Sequence, residues 1–360
     1  MKVLQIINGL STGGAEKLLV DSASFYVKKG LSMDVLSLSR KRTPFWEELE
    51  KNLNSEIFGL TDKSIYNPIL IFKLIPYLKQ YDIIHLHLFP TLYWVVLAKY
   101  LSFSNVKLIF TEHNTSNRRR KLSFFKFLDK FIYKKLNSII CITQGVKENL
   151  KDHLNLPIQL IVINNGIDLR KFLNTSLPKE FKYFDSNDFK IIQISSFRQQ
   201  KDQATVIKSL KFLPREVKLI LVGDGVLLES NKNLVQSLNL TERVIFTGNR
   251  YDIPELINYS DVVVLSSHWE GFGLAIVEGM AAHKPVIASN IEGIKEIVEN
   301  YGLLFNPGDE KNLADLIQTL RTNTNTYKKI ANACYNRAQQ FDIERMVDSH
   351  IQLYKEHMNA

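Results

Sequence analysis

The chain has 360 residues, of which 45% are hydrophobic and 23% charged. At roughly 100–200 residues per domain, this size predicts two globular domains. The 16 glycines, the 10 prolines and the absence of a repeat of about 20–50 residues exclude collagen-like, disordered and solenoid proteins. The two cysteines, Cys141 and Cys334, fit neither a disulfide framework nor a zinc motif, which favours a reducing compartment.

The formal net charge is +9, and the positive charge lies in the first half. Residues 1–175 contain 25 Lys and Arg against 14 Asp and Glu, whereas the rest of the chain is slightly acidic. This asymmetry suggests a polyanionic partner for the first half: nucleic acid, an anionic membrane or a phosphorylated acceptor. The apolar run Val3–Ile7 is too short for a secretory signal, and no stretch of about 18 apolar residues occurs. These features predict a cytoplasmic protein, or one attached to a membrane from the side.

Short β-branched runs alternate with helix-length segments, a pattern typical of parallel sheets covered by helices on both faces. The predicted strands of the first half are Val3–Ile7, Asp34–Leu38, Glu56–Leu60, Ile83–Leu88, Lys107–Thr111, Ser138–Thr143 and Gln159–Ile163. The predicted strands of the second half are Lys190–Ile194, Lys218–Val222, Val244–Thr247, Asp261–Leu265, Pro285–Ala288 and Leu303–Phe305. Each half is therefore predicted to be one doubly wound α/β domain.

The predicted boundary falls near Asp168–Asp188, where Lys, Pro, Asn, Ser and Asp cluster without periodicity. It gives domains 1–172 and 173–341, which are expected to face one another across a cleft. Only helical patterns follow Asn312. The last helix, Ile343–Met358 within 342–360, could pack on either domain, including back on the first.

Open α/β sheets bind ligands beyond the carboxyl ends of their strands, so the loops there are candidate sites. The first loop, Asn8–Glu16, places Gly13 and Gly14 before a helix, where free N–H groups and the helix dipole favour an anion. The loop matches neither a Walker A motif nor the GxGxxG of dinucleotide folds. A tight strand-to-helix turn explains the same glycines.

The loop after the strand Asp261–Leu265 contains a denser set of candidates. Gly271 and Gly273 open a helix, and Glu270 and Glu278 flank it with seven residues between them. Carboxylates accept paired hydrogen bonds from vicinal hydroxyls such as those of ribose and hexose. The alternative is ordinary acidic charge near a helix start.

These motifs together resemble retaining glycosyltransferases of the GT-B fold, within the large family 4 that builds bacterial surface polysaccharides and glycolipids. The resemblance covers about residues 3–307. In the second half it is carried by Val222-Gly223-Asp224-Gly225, Val244–Gly248, Glu270 to Glu278, Lys284–Ala288 and Glu292-Gly293-Ile294. In the first half it is carried by Gly13-Gly14-Ala15-Glu16, His85-x-His87, His113 and Asn165-Gly166-Ile167-Asp168.

The resemblance implies a role for each matching residue. Glu278 is expected to bind the ribose, and Glu270 to hold the donor sugar. The diphosphate is assigned to Lys201 and to the backbone around Glu270, and the base to the loop after Gly248. The full expected donor set is Gly14, Arg198, Lys201, Asn249, Arg250, Glu270, Gly271, Phe272, Gly273, Leu274 and Glu278. His113 and Glu270 are the catalytic candidates, and His87 and Glu16 the acceptor candidates.

Two positions depart from the family pattern. Ser196 stands where the family usually has an arginine, and either Arg198 reaches the phosphates instead or Lys201 acts alone; two cations suit a diphosphate leaving group better. His283 replaces a usual turn glycine and is interpreted as structural.

The segment Arg118–Lys135 combines eight basic residues with several aromatic ones. Part of its apolar face must pack on its own domain. The rest forms either a solvated basic face or a membrane-contacting surface headed by Arg118, Arg119, Arg120 and Lys121.

The sequence therefore predicts a retaining glycosyltransferase of hexosyltransferase type that moves a sugar from a nucleotide diphosphate, a UDP-sugar by preference. The predicted acceptor is a hydroxyl of a capsule-type polysaccharide or a lipid-linked glycan, at the inner face of the membrane and without nucleic acid. No Asp-x-Asp occurs, so neither metal nor cofactor is expected. A sugar-nucleotide epimerase of the same architecture and a non-catalytic nucleotide-sugar or nucleic-acid binder are the alternatives.

Overall fold

A computed structural model describes residues 1–11, 13–53, 56–115, 122–173, 175 and 183–359. The chain divides into two compact units, Met1–Gly166 together with Ile343–Ala360, and Ile167–Asp342. The boundary predicted at 172 is therefore displaced by a few residues. Residues 167–172 belong to the second unit because Ile167 pairs with Asp342, and because the 3₁₀ turn Leu169–Phe172 packs on helices of that unit.

Within its described residues, the first unit contains seven parallel strands in the order β3-β2-β1-β4-β5-β6-β7. The strands are β1 Lys2–Ile7, β2 Ser32–Ser39, β3 Ile57–Thr61, β4 Ile83–His87, β5 Lys107–Glu112, β6 Ser138–Cys141 and β7 Leu160–Val162. The helices between them are α1 Gly14–Lys28, α2 Pro44–Asn52, α3 Leu70–Leu74, α4 Thr91–Ser102, α5 Ser123–Tyr133 and α6 Gln144–Leu154. All seven predicted strands are confirmed.

The described part of the second unit contains six parallel strands in the order β10-β9-β8-β11-β12-β13. The strands are β8 Phe189–Ile194, β9 Val217–Val222, β10 Val244–Gly248, β11 Val262–Leu265, β12 Val286–Ser289 and β13 Leu303–Phe305. The helices are α7 Gln203–Ser209, α8 Leu228–Ser237, α9 Ile253–Tyr259, α10 Leu274–Ala281, α11 Lys295–Val298, α12 Glu310–Thr322 and α13 Thr324–Ala338. The predicted doubly wound α/β architecture is thus confirmed in both units.

The last helix, α14 Ile343–Asn359, belongs to the first unit, where it packs against α1. Its apolar stripe, which includes Met346, Val347 and Tyr354, joins the same core cluster as Leu18 and Leu19 of α1. The sequence left its domain open because an amphipathic stripe does not specify which surface it covers.

The central strands are apolar on both faces, as strands of a covered parallel sheet must be. Gln5 in β1 and Gln193 in β8 are exceptions that occupy equivalent positions, four residues into the runs Lys2–Ile6 and Lys190–Ile194. Both amides are buried, and burial of an amide requires hydrogen-bond partners. Among the helices described, none is long and apolar enough to cross a membrane.

Candidate active site

In the second unit, the loop after β8 is tied to the sheet through Lys201. The Gln193 Nε2 atom donates to the Lys201 carbonyl at 2.8 Å, and the Ser266 hydroxyl donates to the same oxygen at 3.1 Å. The Ser266 hydroxyl also lies 2.7 Å from the Asp202 carbonyl oxygen, so its single hydrogen is shared between the two carbonyls. These partly buried hydrogen bonds fix the backbone of Lys201 at the carboxyl end of the central strands, where doubly wound sheets bind ligands.

Lys201 and Glu270, two of the predicted donor residues, form an ion pair with each other. The Lys201 Nζ atom lies 2.8 Å from Glu270 Oε1 and 2.7 Å from Oε2. The two side chains are only 17% and 14% exposed, so water screens the pair weakly. Gln200 supports the carboxylate by donating to it at 3.3 Å and to the Trp269 carbonyl at 2.8 Å. A bound diphosphate would have to compete with Glu270 for this ammonium group.

Two glycines let the Glu270 loop pack tightly. Gly273 has a φ of 77° at the start of α10, and Gly293 has a φ of 82°. A Cβ atom on Gly293 would lie 2.4 Å from the Glu270 carbonyl oxygen, and one on Gly273 would lie 2.4 Å from Ile294 Cδ1. The Glu270 loop and the turn at Gly293, two motifs of the resemblance, therefore pack directly against each other. Any side chain at Gly273 or Gly293 would separate them.

Phe272, between these glycines, points into the protein. Its ring is buried and packs edge-on against Phe341, with the ring centroids 5.4 Å apart. The side chain is therefore structural, and only the backbone of Phe272 is left for a ligand.

Glu278 lies on α10, little more than one turn after Leu274, and is 3% exposed. Its helix neighbours Ile276, Val277 and Met280 are buried in the core. A carboxylate rarely lies at such depth, because removing its charge from water is costly. This burial distinguishes Glu278 from surface acids such as Glu299.

Ser196, which stands where the family usually has an arginine, does not itself supply a second cation for a diphosphate. The Ser196 carbonyl accepts from Gln203 Nε2 at 3.1 Å, and its short side chain supplies no charge. Arg198 is exposed at the start of the 3₁₀ turn that leads to Lys201, and its guanidinium has no hydrogen-bond partner among the described residues. Arg198 is thus a cation next to Lys201 that no described carboxylate neutralises.

The predicted base-binding residues Asn249 and Arg250 directly follow β10. Arg250 is held by Asp252 through two hydrogen bonds, of 2.8 and 2.5 Å. This pairing raises the pKa of Arg250 and lowers that of Asp252. Since the side chain is already engaged, contacts to a base would come from the backbone of this loop.

In the first unit, the glycines after β1 adjoin a carboxylate. A Cβ atom on Gly13 would lie 2.2 Å from Glu16 Oε2, so the Glu16 side chain folds back over the first turn of α1. Gly14 itself is exposed. A phosphate at Gly14 would therefore require Glu16 to move away from the helix start.

The three predicted histidines differ in environment. His85 is fully buried and hydrogen-bonded to Thr111 and Tyr354, so it is a core residue. His113 is half-buried after β5, and its Nε2 atom lies 3.1 Å from His87 Nδ1. His87 has both ring nitrogens engaged, the second with Gln5 at 2.7 Å. Both ring nitrogens of His87 thus have partners within the first unit, and its contact with an acceptor stays a prediction.

His283, the turn residue that replaces a glycine, has a φ of 58°. Its Nε2 atom lies 2.6 Å from Asn332 Oδ1, and its ring packs against Tyr335 with centroids 5.0 Å apart. These contacts hold a histidine in the left-handed region and agree with a structural role.

Arg118, Arg119, Arg120 and Lys121 lie outside the described residues. The described part of their segment is α5. Among the side chains that the structure describes, no group of three or more His, Cys, Asp and Glu is placed to bind a metal ion.

Comparison with known proteins decides the family. Residues 12–171 match Glycosyltransferase Family 4, and residues 178–337 match Glycosyl transferases group 1. The chain is a family 4 glycosyltransferase of the GT-B fold.

This glycosyltransferase has relatives of defined activity and known structure. It is 29% identical over 312 residues to the Escherichia coli UDP-Gal:alpha-D-GlcNAc-diphosphoundecaprenol alpha-1,3-galactosyltransferase, with 81% of this chain and 79% of that protein covered. It is 27% identical over 286 residues to N-acetyl-alpha-D-glucosaminyl L-malate synthase of Bacillus anthracis, covering 76% and 74%. The structure of Anabaena HepE in complex with UDP and glucose superposes with a TM-score of 0.86 at 25% identity, over 99% of this chain and all of that one.

Sequence reasoning missed the residues of the glycosyltransferase that hold the site side chains in place: Gln193 and Ser266 under Lys201, and Gln5 beside His87. The available signal was a polar residue inside or directly after an apolar strand. Such a residue requires buried partners, but the sequence does not show which ones.

Proposed function

We propose that this glycosyltransferase transfers a hexose from a UDP-sugar, with retention of the anomeric configuration, to a hydroxyl of a lipid-linked glycan. The observation that carries the proposal is the arrangement in the second unit: Lys201 and Glu270 in contact at the carboxyl edge of the sheet, with Glu278 buried on the helix that follows. HepE, the similar protein from Anabaena, has been crystallised with UDP-glucose as well as with UDP and glucose.

In the proposed complex, Glu278 accepts hydrogen bonds from the ribose hydroxyls, and the backbone amides of Gly271–Leu274 bind the diphosphate at the start of α10. Lys201 turns from Glu270 to the diphosphate, with Arg198 as a second cation. Glu270 is then released to accept from the donor sugar. In the first unit, Gly14 contacts the distal phosphate, and His113 contacts the sugar.

The proposed reaction exchanges one glycosidic bond for another. The bond between the anomeric carbon and the phosphate oxygen breaks, and the acceptor oxygen forms its bond on the same face of the sugar. The acceptor proton goes to the departing phosphate oxygen, so UDP leaves. The charge that develops on UDP is stabilised by Lys201, Arg198 and the helix amides.

The proposed acceptor class rests on the relatives. The names of the Escherichia coli relative and of a Campylobacter jejuni relative that is 24% identical both include a diphosphoundecaprenol-linked glycan. To test the reaction, we would screen nucleotide sugars by thermal shift and then measure transfer to a diphospholipid-linked acceptor. A ligand at 100 times its dissociation constant adds about 2.7 kcal/mol of stability. Conversion of the donor to another sugar nucleotide, without acceptor, would favour the epimerase instead.

Turnover is expected to persist in excess EDTA, because fixed cations and helix amides carry the charge of the leaving group in this proposal. The measurement is the initial rate of UDP release before and after chelation. A rate that EDTA abolishes and that Mg²⁺ or Mn²⁺ restores would contradict the proposed metal independence.

We further propose that α5 attaches the enzyme peripherally to the cytoplasmic, anionic face of a membrane. The helix buries Ile132 and Tyr133 but leaves phenylalanines exposed. Its Asp129 is buried and bound by Tyr93 and by His153 at 2.8 Å, whereas Phe124 and Phe127 are 70% and 76% exposed. The adjoining helix α4 ends in further exposed apolar residues, Tyr100, Leu101 and Phe103. The lysines of this segment are Lys126, Lys130, Lys134 and Lys135.

Vesicle binding is expected to require both the charge and the aromatic rings. Each basic residue near an anionic surface contributes about 1 kcal/mol, and the attraction weakens with salt. We would measure co-sedimentation with phosphatidylglycerol and with phosphatidylcholine vesicles. Phe124→Ser/Phe127→Ser should lower binding to the anionic vesicles, as should replacement of residues 118–121 by serine. Phe212→Ser, which removes an exposed phenylalanine of the second unit, should not. Binding indifferent to lipid charge, or equal for all variants, would refute the attachment.

A further inference from the structure

A chain of hydrogen bonds runs from His113 into the interior of the first unit. His113 Nε2 lies 3.1 Å from His87 Nδ1, and His87 Nε2 lies 2.7 Å from Gln5 Oε1. On its other side, the Gln5 amide nitrogen lies 3.2 Å from the Tyr354 hydroxyl on α14. The sequence positions of His87, Gln5 and Tyr354 do not indicate that these side chains are linked to His113.

Two of these side chains, Gln5 and His87, are so deeply buried that their hydrogen-bond partners are fixed. Gln5 is 2% exposed and His87 is 7% exposed. At such burial, each polar atom needs its partner, because a buried donor or acceptor without one is costly. Burial also lowers the pKa of His113 to about 4 and holds that of His87 well below its usual value. Both rings are therefore neutral near pH 7, with one N–H donor and one acceptor nitrogen each.

The orientation of the Gln5 amide then sets the proton on each ring. The Gln5 oxygen can only accept, so His87 Nε2 carries the proton and His87 Nδ1 does not. His87 Nδ1 must accept in turn, and its partner His113 Nε2 must donate. The remaining His113 nitrogen, Nδ1, has no proton, and no described residue hydrogen-bonds to it.

We propose that Gln5, acting through His87, is a positioning residue that holds His113 as its Nε2–H tautomer and so presents Nδ1 as an acceptor for a substrate hydroxyl. The part that concerns the substrate rests on the proposed function. The tautomer does not, because it follows from the first unit alone. In this arrangement His113 selects substrates that donate a hydroxyl hydrogen to it, and it supplies no proton of its own at Nδ1.

The tautomer can be observed directly by long-range ¹H–¹⁵N correlation spectra of the histidine-labelled protein, without donor or acceptor. The chain has eight histidines, and the His113 signals are assigned by their loss in His113→Gln. We expect a protonated Nε2 and an unprotonated Nδ1 in the wild type. A protonated Nδ1 would overturn the inference, since it requires the reversed orientation of Gln5. This outcome is independent of whether the protein transfers sugar.

Variants test the role of Gln5. Gln5→Met keeps the volume but removes both hydrogen-bonding groups, so His113 should become a mixture of tautomers. The value of kcat/KM for the donor should fall by roughly 2–10-fold, the effect of weakening one hydrogen bond. The control is Ser22→Ala, which removes a buried hydroxyl that lines a small cavity together with Gln5 and His87 but donates to the Leu19 carbonyl and lies outside the chain of hydrogen bonds. In this control variant, His113 should keep the same tautomer as in the wild type.

A double variant separates positioning from general destabilisation. If Gln5 acts only through His113, adding Gln5→Met to His113→Ala should cause no further loss of kcat/KM. A further loss equal to that of Gln5→Met alone would show a structural effect and overturn the inference. An absence of transfer by the wild type, with the expected tautomer intact, would instead count against the proposed function.

Discussion

Replacing Lys201 by alanine is expected to lower kcat by about 10²-fold or more, the usual cost of removing one preorganised electrostatic group from a reacting site. The structure adds a second effect. Without its partner, Glu270 keeps an uncompensated carboxylate in a poorly hydrated loop, which would repel the diphosphate. The measurement is steady-state kinetics with the donor identified by thermal shift.

Two further variants separate these effects. Lys201→Ala/Glu270→Gln should recover nucleotide affinity, because the repulsion is gone, but it should not recover kcat. Lys208→Ala removes an exposed lysine from α7 and should leave both unchanged. A double variant with restored kcat would contradict a direct role of Lys201 on the leaving group.

Glu278→Gln is expected to weaken the binding of UDP by about 1–3 kcal/mol, because the ribose loses a charged acceptor. Glu270→Gln should instead lower turnover while UDP affinity holds or rises. In the wild type, the Lys201 ammonium must leave its ion pair with Glu270 before it can bind the diphosphate. In Glu270→Gln that ion pair is absent, so this cost to UDP binding disappears.

Calorimetric titration of UDP into both variants, and into Glu299→Gln as the exposed control, measures this difference. Weaker UDP binding in Glu270→Gln than in Glu278→Gln would reverse the assignment of the two carboxylates.

The strands and the loops of interest could be predicted because they depend on local patterns. Apolar β-branched runs mark covered strands, and glycines after strands mark turns that only glycine permits, as Gly273 and Gly293 show. The pairing of Lys201 with Glu270 could not be predicted, since 69 residues separate them and only the packing of β8 beside β11 brings them together. The same holds for Gln5 and His87, which stand on neighbouring strands.

The position of α14 has a consequence for how the chain folds during its synthesis. Everything that the second unit needs lies between residues 167 and 342, so it can fold as soon as that stretch has left the ribosome. The first unit begins earlier but stays incomplete until Tyr354 has been made, because α14 packs against α1 and Tyr354 hydrogen-bonds to the buried Gln5. At about 5–20 residues per second, this wait lasts roughly 10–40 s. Tyr26, whose ring packs against His350 and Tyr354 of α14, lacks these partners during that interval. A nascent chain stalled before α14 should therefore be a substrate for chaperones even though its first strands were made long before.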